Sequence, residues 1–289
     1  MLPDMEGDTY IKERQRQWAI RHDIQLIGSR PPRGKKLYTP TLDLNLFQPL
    51  SGTAQEQIAA GDGNELGRGD GIPGKMQALH SSSALAANVF DYWLNGRDLR
   101  VITKALIGSE AKCECIRLES KWPICPRFRY APNIDVVFDH PSAAACKVTA
   151  VECKYCEPYG GRKHKGLDQK YLTLKGVWDQ LPALRKLAER VSPDDHVFDR
   201  LDAAQLIKHV LGLQCGHGKT GFRLLCCWYN VPAPEGEKHR QELDAFRTIA
   251  EKDGIDFRAI TYQELILNLA AITGSEHREY VNYLSGRYL

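Results

Sequence analysis

The sequence predicts an α/β fold in which a mixed β-sheet is flanked by helices on both faces. Short apolar or alternating segments of strand length cover residues 113–119, 132–138, 148–155, 222–231 and 256–260. Segments with helical periodicity precede the first of these strands, separate the third from the fourth, and follow the last. This order, α-β-β-β-α-α-β-β-α, predicts three layers with the sheet in the middle.

Length and composition are those of a globular protein. The chain has 289 residues, of which 43% are hydrophobic, and can therefore bury a sizeable core. It has no run of about 18 apolar residues and no charged-then-apolar leader, so we expect no membrane span and a cytoplasmic location. The nine cysteines stand in apolar contexts, which predicts reduced, buried thiols and not a disulfide framework.

Residues 1–75 are predicted to form a basic, partly irregular N-terminal arm, and residues 76–289 to form the compact domain. The arm has a helical pattern over residues 10–26, and a glycine-rich stretch over residues 50–75 predicts flexible or irregular chain. Its basic residues include Lys12, Arg14, Arg16, Arg21, Arg30, Arg33, Lys35 and Lys36. Such a run is most often a solvated face, and the net charge of +3 is too small to predict nucleic-acid binding by itself.

The compact domain is expected to begin with a capped helix and to continue with a hairpin. One of the serines at positions 81–83 is placed to cap a helix that ends near Gly96. If Asp135 and Glu152 lie side by side on antiparallel strands, the turn falls midway, between residues 143 and 144. That point lies in the loop-like segment 139–144, so the pairing is self-consistent.

The second half of the domain is expected to contain both helices and strands. Helices are predicted over residues 176–190 and 202–211, with Gly212 as a stop signal. The continuous apolar character of residues 222–231 predicts a strand that is buried on both faces. The last strand precedes a helix over residues 262–272 and a short terminal helix.

Charged residues interrupt two of the apolar strands. Glu152 and Lys154 point to the same side of their strand because side chains alternate between faces, and Asp135 can join them from the neighbouring strand. Burying such charges is costly without a partner or a metal. Carboxylate oxygens of Asp135 and Glu152, with the backbone carbonyl of Cys153, are the hard ligands that Mg²⁺ prefers. The pattern predicts a divalent-metal and phosphate site, the chemistry of a metal-dependent nuclease.

These residues also resemble a known family. An aspartate, a Glu-x-Lys motif after a hairpin, and a helix with glutamine and lysine are together similar to the PD-(D/E)XK, or restriction-endonuclease-like, superfamily. In this chain the matching residues are Asp135, Glu152, Lys154, Gln205 and Lys208. The likeness covers residues 80–265, and the stretches 80–83, 152–157 and 205–209 look similar to uncharacterised bacterial restriction-endonuclease-like proteins.

The resemblance implies a restriction-endonuclease-like core and an endodeoxyribonuclease that uses Mg²⁺ or Mn²⁺ to hydrolyse DNA, with a role in restriction or phage defence. Lys154 is then expected to orient the attacking water or to offset charge on the scissile phosphate. Gln205 and Lys208 are expected to reach toward the phosphate, as residues of the corresponding helix do in the family. Such groups are needed because the transition state carries extra negative charge and water must be activated.

Other residues near this motif have an ambiguous role. Glu119, on the preceding strand, is either a third acidic metal ligand or a surface glutamate. Glu157 falls on the face opposite Glu152 if the strand continues, which favours a loop contact. His209 shares a helical face with Gln205, but a histidine there is more often structural than a general base. For the charged strand residues themselves, the competing interpretation is an ordinary salt bridge.

Two further patterns are interpreted as fortuitous. Residues 216–220 resemble part of a phosphate-binding P-loop, but Leu213 occupies the position of the first glycine, so a turn is predicted. Zinc is a weaker rival to Mg²⁺, because its cysteine ligands would have unusual spacing and Cys153 alternates away from Glu152. The cysteines concerned are Cys113, Cys115, Cys153 and Cys156.

DNA phosphates are expected to contact the basic loop that follows the Glu-x-Lys strand, and the N-terminal arm is a second candidate for such contacts. The members of the loop are Arg162, Lys163, His164 and Lys165. Contacts of this kind bind the backbone without reading bases and make affinity strongly dependent on salt. An RNA nuclease and a catalytically inactive nucleic-acid-binding or assembly module of the same fold stay open as alternatives. Cutting both strands of a duplex with one site per chain favours a homodimer.

Overall fold

A mixed sheet lies between two layers of helices, as the sequence predicts. The computed structural model describes residues 5–31, 33–61, 63–67, 71–94, 96–109, 111–161 and 164–289. Within these residues the central sheet has five strands, and a separate two-stranded hairpin accompanies it. The predicted α/β class with helices on both faces of a mixed sheet is confirmed.

The described part of the chain contains seven strands and nine α-helices. The strands are β1 (Ile27–Arg30), β2 (Arg33–Tyr38), β3 (Cys115–Lys121), β4 (Asn133–Asp139), β5 (Val148–Lys154), β6 (Phe222–Trp228) and β7 (Asp256–Thr261). The helices are α1 (Gly7–Arg21), α2 (Gly52–Ala60), α3 (Ser82–Leu94), α4 (Leu99–Ile107), α5 (Pro182–Arg190), α6 (Ala203–His217), α7 (Pro234–Lys252), α8 (Tyr262–Ile272) and α9 (Arg278–Tyr288).

The central sheet has the strand order β3-β4-β5-β6-β7. β3, β4 and β5 pair in antiparallel fashion, whereas β5, β6 and β7 run parallel. Val136 lies opposite Val151 and Asp139 lies opposite Val148. This register centres the hairpin between residues 143 and 144, so the predicted pairing of β4 with β5 is confirmed.

Each face of the sheet carries its own hydrophobic core because side chains alternate along a buried strand. On one face, Val151 belongs to a core built with α3, α4, α8 and α9. On the other face, Ala150 and Trp228 belong to a core built with α5, α6 and α7. Glu152 and Lys154 follow the alternation of Ala150, which directs them toward α6.

The first and last helices pack against each other through Arg287. The guanidinium donates to Gln15 Oε1 at 2.9 Å and to the backbone carbonyl of Asn45 at 2.8 Å. It also lies over the Trp18 ring, with Cζ 3.9 Å from the ring centroid. Ile11 of α1 is buried in the same core as the sheet residues, so α1 packs on the body that carries the sheet.

The glycine-rich segment contains a helix, so the expectation of irregular chain across residues 50–75 is wrong for α2. Ser51 caps this helix, since its Oγ accepts the Ala54 N–H at 3.1 Å. Gln57 Oε1 accepts the Leu118 N–H at 2.7 Å. α2 therefore covers β3, a strand at the edge of the sheet, and edge strands expose backbone groups that need such a partner.

The expectation that Gly212 ends its helix is also wrong. α6 continues to His217, and Gly218, with φ of 69°, is the C-cap residue. Gly212 serves close packing, because a Cβ atom there would lie 2.6 Å from the carbonyl oxygen of Trp122. A glycine in a helical pattern thus marked an approach of two backbones and not a helix end.

Three differences concern helix order and length. α7 and α4 are absent from the expected order of elements, and α5 begins at Pro182 and not near residue 176. Because β6 and β7 are parallel, the chain must cross back between them, and α7 makes that crossover. Proline suits the first turn of a helix, which explains the start of α5. The cap before α3 is confirmed, since Ser81 Oγ accepts the Ala84 N–H.

Candidate active site

Three acidic residues stand on adjacent strands at one end of the sheet. Leu118 pairs with Val136 and Ser120 pairs with Ile134, so Glu119 and Asp135 occupy the positions between these two pairs. The β4–β5 register, which pairs Val136 with Val151, brings Asp135 level with Glu152 when it is extended by one residue, as the sequence predicts. Asp135 Oδ2 accepts the backbone N–H of Cys153 at 2.7 Å. The two predicted carboxylates and the predicted carbonyl residue are therefore neighbours.

Glu152 is buried at 1% exposure, and each of its oxygens has a basic partner. Oε1 lies 2.7 Å from Lys154 Nζ, and Oε2 lies 2.8 Å from His209 Nε2. Lys154 Nζ also donates to Gln205 Oε1 at 2.7 Å. Residues of β5 and α6 thus form one hydrogen-bonded network.

The two strand carboxylates, Glu152 and Asp135, have pKa values that are shifted in opposite directions. Burial by itself would raise the pKa of Glu152, but Lys154 and His209 lower it to about 2. Since Glu152 is ionised, Nε2 of His209 carries the proton that the hydrogen bond needs. Burial first, and then the charge of Glu152, raise the pKa of Asp135 well above its usual value. Lys154 offsets these effects only in part, so Asp135 is the less compensated of the two carboxylates.

Glu119 is half-buried, and its backbone has φ of 50°, a left-handed conformation that is uncommon outside glycine. Its carboxylate accepts a hydrogen bond from Asn133 Nδ2. Burial raises the pKa of Glu119 to about 7, the Asn133 bond opposes this, and Glu65 and Glu152 add to it. Glu119 thus increases the negative charge around Asp135. Its role as a metal ligand stays a prediction.

The donor set fits a hard divalent cation through oxygen atoms. Asp135 and Glu152 are adjacent carboxylates, and they flank the backbone of Cys153; oxygen ligands of this kind suit Mg²⁺ and Mn²⁺. Among the described residues, no three His, Cys, Asp or Glu side chains are gathered as a metal-binding group. Mg²⁺ usually keeps several waters and needs few protein ligands. The residues that would hold the ion are therefore Asp135, Glu152 and the Cys153 carbonyl.

The cysteines do not compete for this role. All nine lie in the described part of the chain and form no disulfide, but only Cys153, Cys156, Cys226 and Cys227 are buried, so the expectation of buried thiols is wrong for the other five. The residues that the structure describes gather no cysteine cluster suited to zinc. Cys113 and Cys153 also belong to opposite environments, since Cys153 is buried and Cys113 lies near the surface. The zinc alternative is therefore not supported.

A cleft of about 900 Å³ opens beside Lys154. Its wall contains side chains from α1, from the segment after β5 and from α6. The basic ones are Lys12, Lys154, His164, Lys165, Lys170 and Lys208. Within the described residues, Lys165 and Lys208 form no ion pair, so their charges are available to a ligand. Arg162 and Lys163 of the predicted basic loop lie outside the described residues.

Two side chains and one short segment can be compared with their predicted roles. Glu157 is a loop contact as expected, because its carboxylate accepts the Tyr155 N–H at 2.7 Å. The residues that resembled a P-loop, 216–220, form the end of α6 and a turn, also as expected. His209, by contrast, touches Glu152 directly, although its sequence position favoured a purely structural role. Its spacing of four residues from Gln205 was the available signal.

Comparison with known proteins identifies a family. The sequence pattern of the family described as Restriction Endonuclease associating with ARP matches residues 16–289. No curated protein and no solved structure matches the chain. In the described residues, no helix is both long enough and apolar enough to cross a membrane.

The match covers nearly the whole chain, including every element of the central sheet. It agrees with the mixed sheet between helical layers and with the resemblance that the Asp135, Glu152 and Lys154 positions suggest. A nuclease-like role, with DNA as the implied substrate, follows from the match. The chain belongs to the restriction-endonuclease-like family described as Restriction Endonuclease associating with ARP.

Proposed function

We propose that this chain is a metal-dependent endonuclease that hydrolyses phosphodiester bonds of DNA, with Mg²⁺ or Mn²⁺ as its cofactor. The observation that carries the proposal is the apposition of Asp135 and Glu152 on adjacent strands, with Lys154 Nζ 2.7 Å from Glu152, beside a cleft that is lined by five lysines and four carboxylates. Two carboxylates and one lysine at a sheet end are the groups that this chemistry requires. A role in restriction or phage defence is proposed on the family description.

The chemistry that a divalent cation supplies when bound here is acidification of a coordinated water and stabilisation of negative charge on the scissile phosphate. Lys154 acts as a cation and not as a base. Although burial lowers its pKa, Glu152, Glu157 and Asp135 raise it above the usual value. Its ammonium group therefore donates to the attacking water or to a phosphate oxygen.

The helix residues position the strand residues in this proposal. His209 Nε2 holds one oxygen of Glu152, and Gln205 Oε1 holds the ammonium of Lys154. Partners of this kind orient a metal ligand and limit its freedom. Lys208 and Lys165 lie along the cleft and contribute contacts to backbone phosphates.

Plasmid nicking in Mg²⁺ or Mn²⁺ tests the proposal directly. Asp135→Ala, Glu152→Ala and Lys154→Ala are each expected to lower the nicking rate by about 10²-fold or more, because each removes a charge that acts in the transition state. Glu114→Gln and Lys186→Ala, which change exposed residues away from the cleft, serve as matched controls. Equal nicking by the wild type and all three site variants would end the proposal.

The same preparation separates the alternatives. A catalytically inactive binding module would bind DNA without nicking it, and calorimetry would detect no Mg²⁺ uptake that depends on Glu152. An RNA nuclease would cleave labelled RNA in preference to DNA of the same sequence. A homodimer and a cytoplasmic location stay predictions that sedimentation and fractionation would test.

A further inference from the structure

The loop between β3 and β4, residues 122–132, leaves the sheet at the same end as the acidic residues. β3 ends at Lys121, two residues after Glu119, and β4 begins at Asn133, two residues before Asp135. The backbone N–H of Trp122 donates to the carbonyl of Pro132 at 2.9 Å, which closes the base of the loop. Its position beside the candidate active site is therefore set by the strands themselves.

One side chain anchors the tip of this loop to the cleft wall. The Phe128 ring meets the Tyr171 ring edge to face, with centroids 5.0 Å apart. Lys170 Nζ lies 5.3 Å from the centroid of each of these two rings. Tyr171 and Lys170 both line the cleft that contains Lys154. The loop therefore packs against one wall of this cleft.

The residues around the anchor face solvent. Arg127 and Arg129 are exposed on either side of Phe128. Tyr130 is 61% exposed, and Arg129 Cζ lies 5.1 Å from its ring centroid. Neither arginine forms an ion pair with a carboxylate of the residues that the structure describes. The loop thus presents two exposed cations, of which Arg127 also hydrogen-bonds Cys125, and an exposed aromatic ring that Arg129 approaches, next to the wall of the cleft.

We propose that this loop is a binding site for single-stranded DNA, in which Tyr130 stacks on an unpaired base and Arg127 and Arg129 bind the flanking phosphates. The inference rests on the proposed function, since it extends the path of the DNA beyond the cleft. Aromatic rings bind single strands by stacking on successive bases, and nearby cations track the backbone. In a duplex the faces of internal bases are already covered by their neighbours, so a protruding ring favours unpaired bases.

Fluorescence anisotropy in EDTA measures this binding without cleavage, using a labelled single-stranded oligonucleotide and the duplex of the same sequence. Tyr130→Ala is expected to raise the Kd for the single strand about tenfold, the range seen when a stacking ring is removed. The Kd for the duplex is expected to change less than about twofold. Tyr130→Trp, which keeps a stacking ring, is expected to bind the single strand about as well as the wild type.

Arg247→Ala, at an exposed position of α7, is the control for loss of positive charge. Its Kd for the single strand is expected to match the wild type, whereas Arg129→Ala raises it. An unchanged Kd for Tyr130→Ala, or an equal change for single strand and duplex, overturns the inference. Plasmid nicking is measured separately. If the protein does not nick DNA but its single-strand binding depends on Tyr130, the proposed nuclease activity is wrong and the proposed binding site is supported.

Discussion

Arg287 and Lys154 are both cations held inside the protein, and their surroundings differ in a useful way. Arg287 is 2% exposed and donates to neutral oxygens of Gln15, Asn45 and Tyr283. The side chain of Lys154 is 17% exposed, lines a cleft and neighbours more acidic groups than it can neutralise.

The contrast separates a structural network from a candidate functional one. Every nitrogen of the Arg287 guanidinium has an oxygen acceptor, so this network stabilises the fold and needs no further partner. Around Lys154, burial and negative neighbours raise the pKa of Asp135. The ionised form of Asp135 therefore destabilises the folded protein. Proteins retain destabilising groups of this kind where function requires them.

The largest expected effect comes from Asp135→Asn. A carboxyl group with a raised folded-state pKa contributes stability below its unfolded pKa, and that contribution is lost as the pH rises through the folded value. At pH 8 in EDTA the variant is therefore expected to be more stable than the wild type, while its nicking rate falls by about 10²-fold or more. Chemical denaturation and plasmid nicking measure the two quantities. If Asp135→Asn is less stable than the wild type at pH 8, the buried charge of Asp135 does not destabilise the fold, and the contrast with Arg287 is wrong.

Arg287→Ala is expected to have the opposite combination of effects. Loss of the charged hydrogen bonds leaves buried acceptors unpaired, which we expect to lower the free energy of unfolding by about 3 kcal/mol. Nicking per folded molecule is expected to be unchanged, because Arg287 lies in the α1–α9 contact and not in the cleft. Denaturation with Arg185→Ala, an exposed position on α5, as control checks this. Unchanged stability would show that the network contributes little.

His209→Ala tests whether α6 positions Glu152. Removing a partner of a metal ligand is expected to weaken Mg²⁺ binding about tenfold, as measured by calorimetry, and to slow nicking most at limiting Mg²⁺. His209→Gln retains an N–H donor and is expected to restore part of the affinity. If both variants bind Mg²⁺ as the wild type does, His209 has only a packing role.

The smallest expected effect is the pH response of Glu119. Its pKa rises from 4.5 to about 7 on folding, so in EDTA its contribution to stability is present below pH 4.5 and is lost as the pH rises through about 7. In Glu119→Gln, the melting temperature should depend less on pH between pH 4.5 and about 7 than it does in the wild type. Glu114→Gln, at an exposed position just before β3, should leave the curve unchanged. Identical curves for wild type and Glu119→Gln would refute the expectation.

Sequence reasoning worked best where the signal is local. The apolar runs of β4, β5 and β6 and the midpoint of the hairpin follow from alternation and turn residues over short distances. α7 was not expected because it is largely polar and lies between two apolar strands, and the expectation for Gly212 was wrong because its role depends on Trp122, about ninety residues earlier. Local patterns carry no information on which distant backbone will approach a glycine.

The amino-acid order alone determined that Asp135, Glu152 and Lys154 would share one side of a buried sheet, because a strand has a period of two and a hairpin has one midpoint. Only the tertiary structure decided that His209 would reach Glu152, that Gln205 would hold Lys154 and that Glu119 would stand beside Asp135. Those contacts depend on how α6 packs across the sheet and on how β3 pairs with β4. Their energies arise from burial and from charges far apart in sequence, which no local pattern specifies.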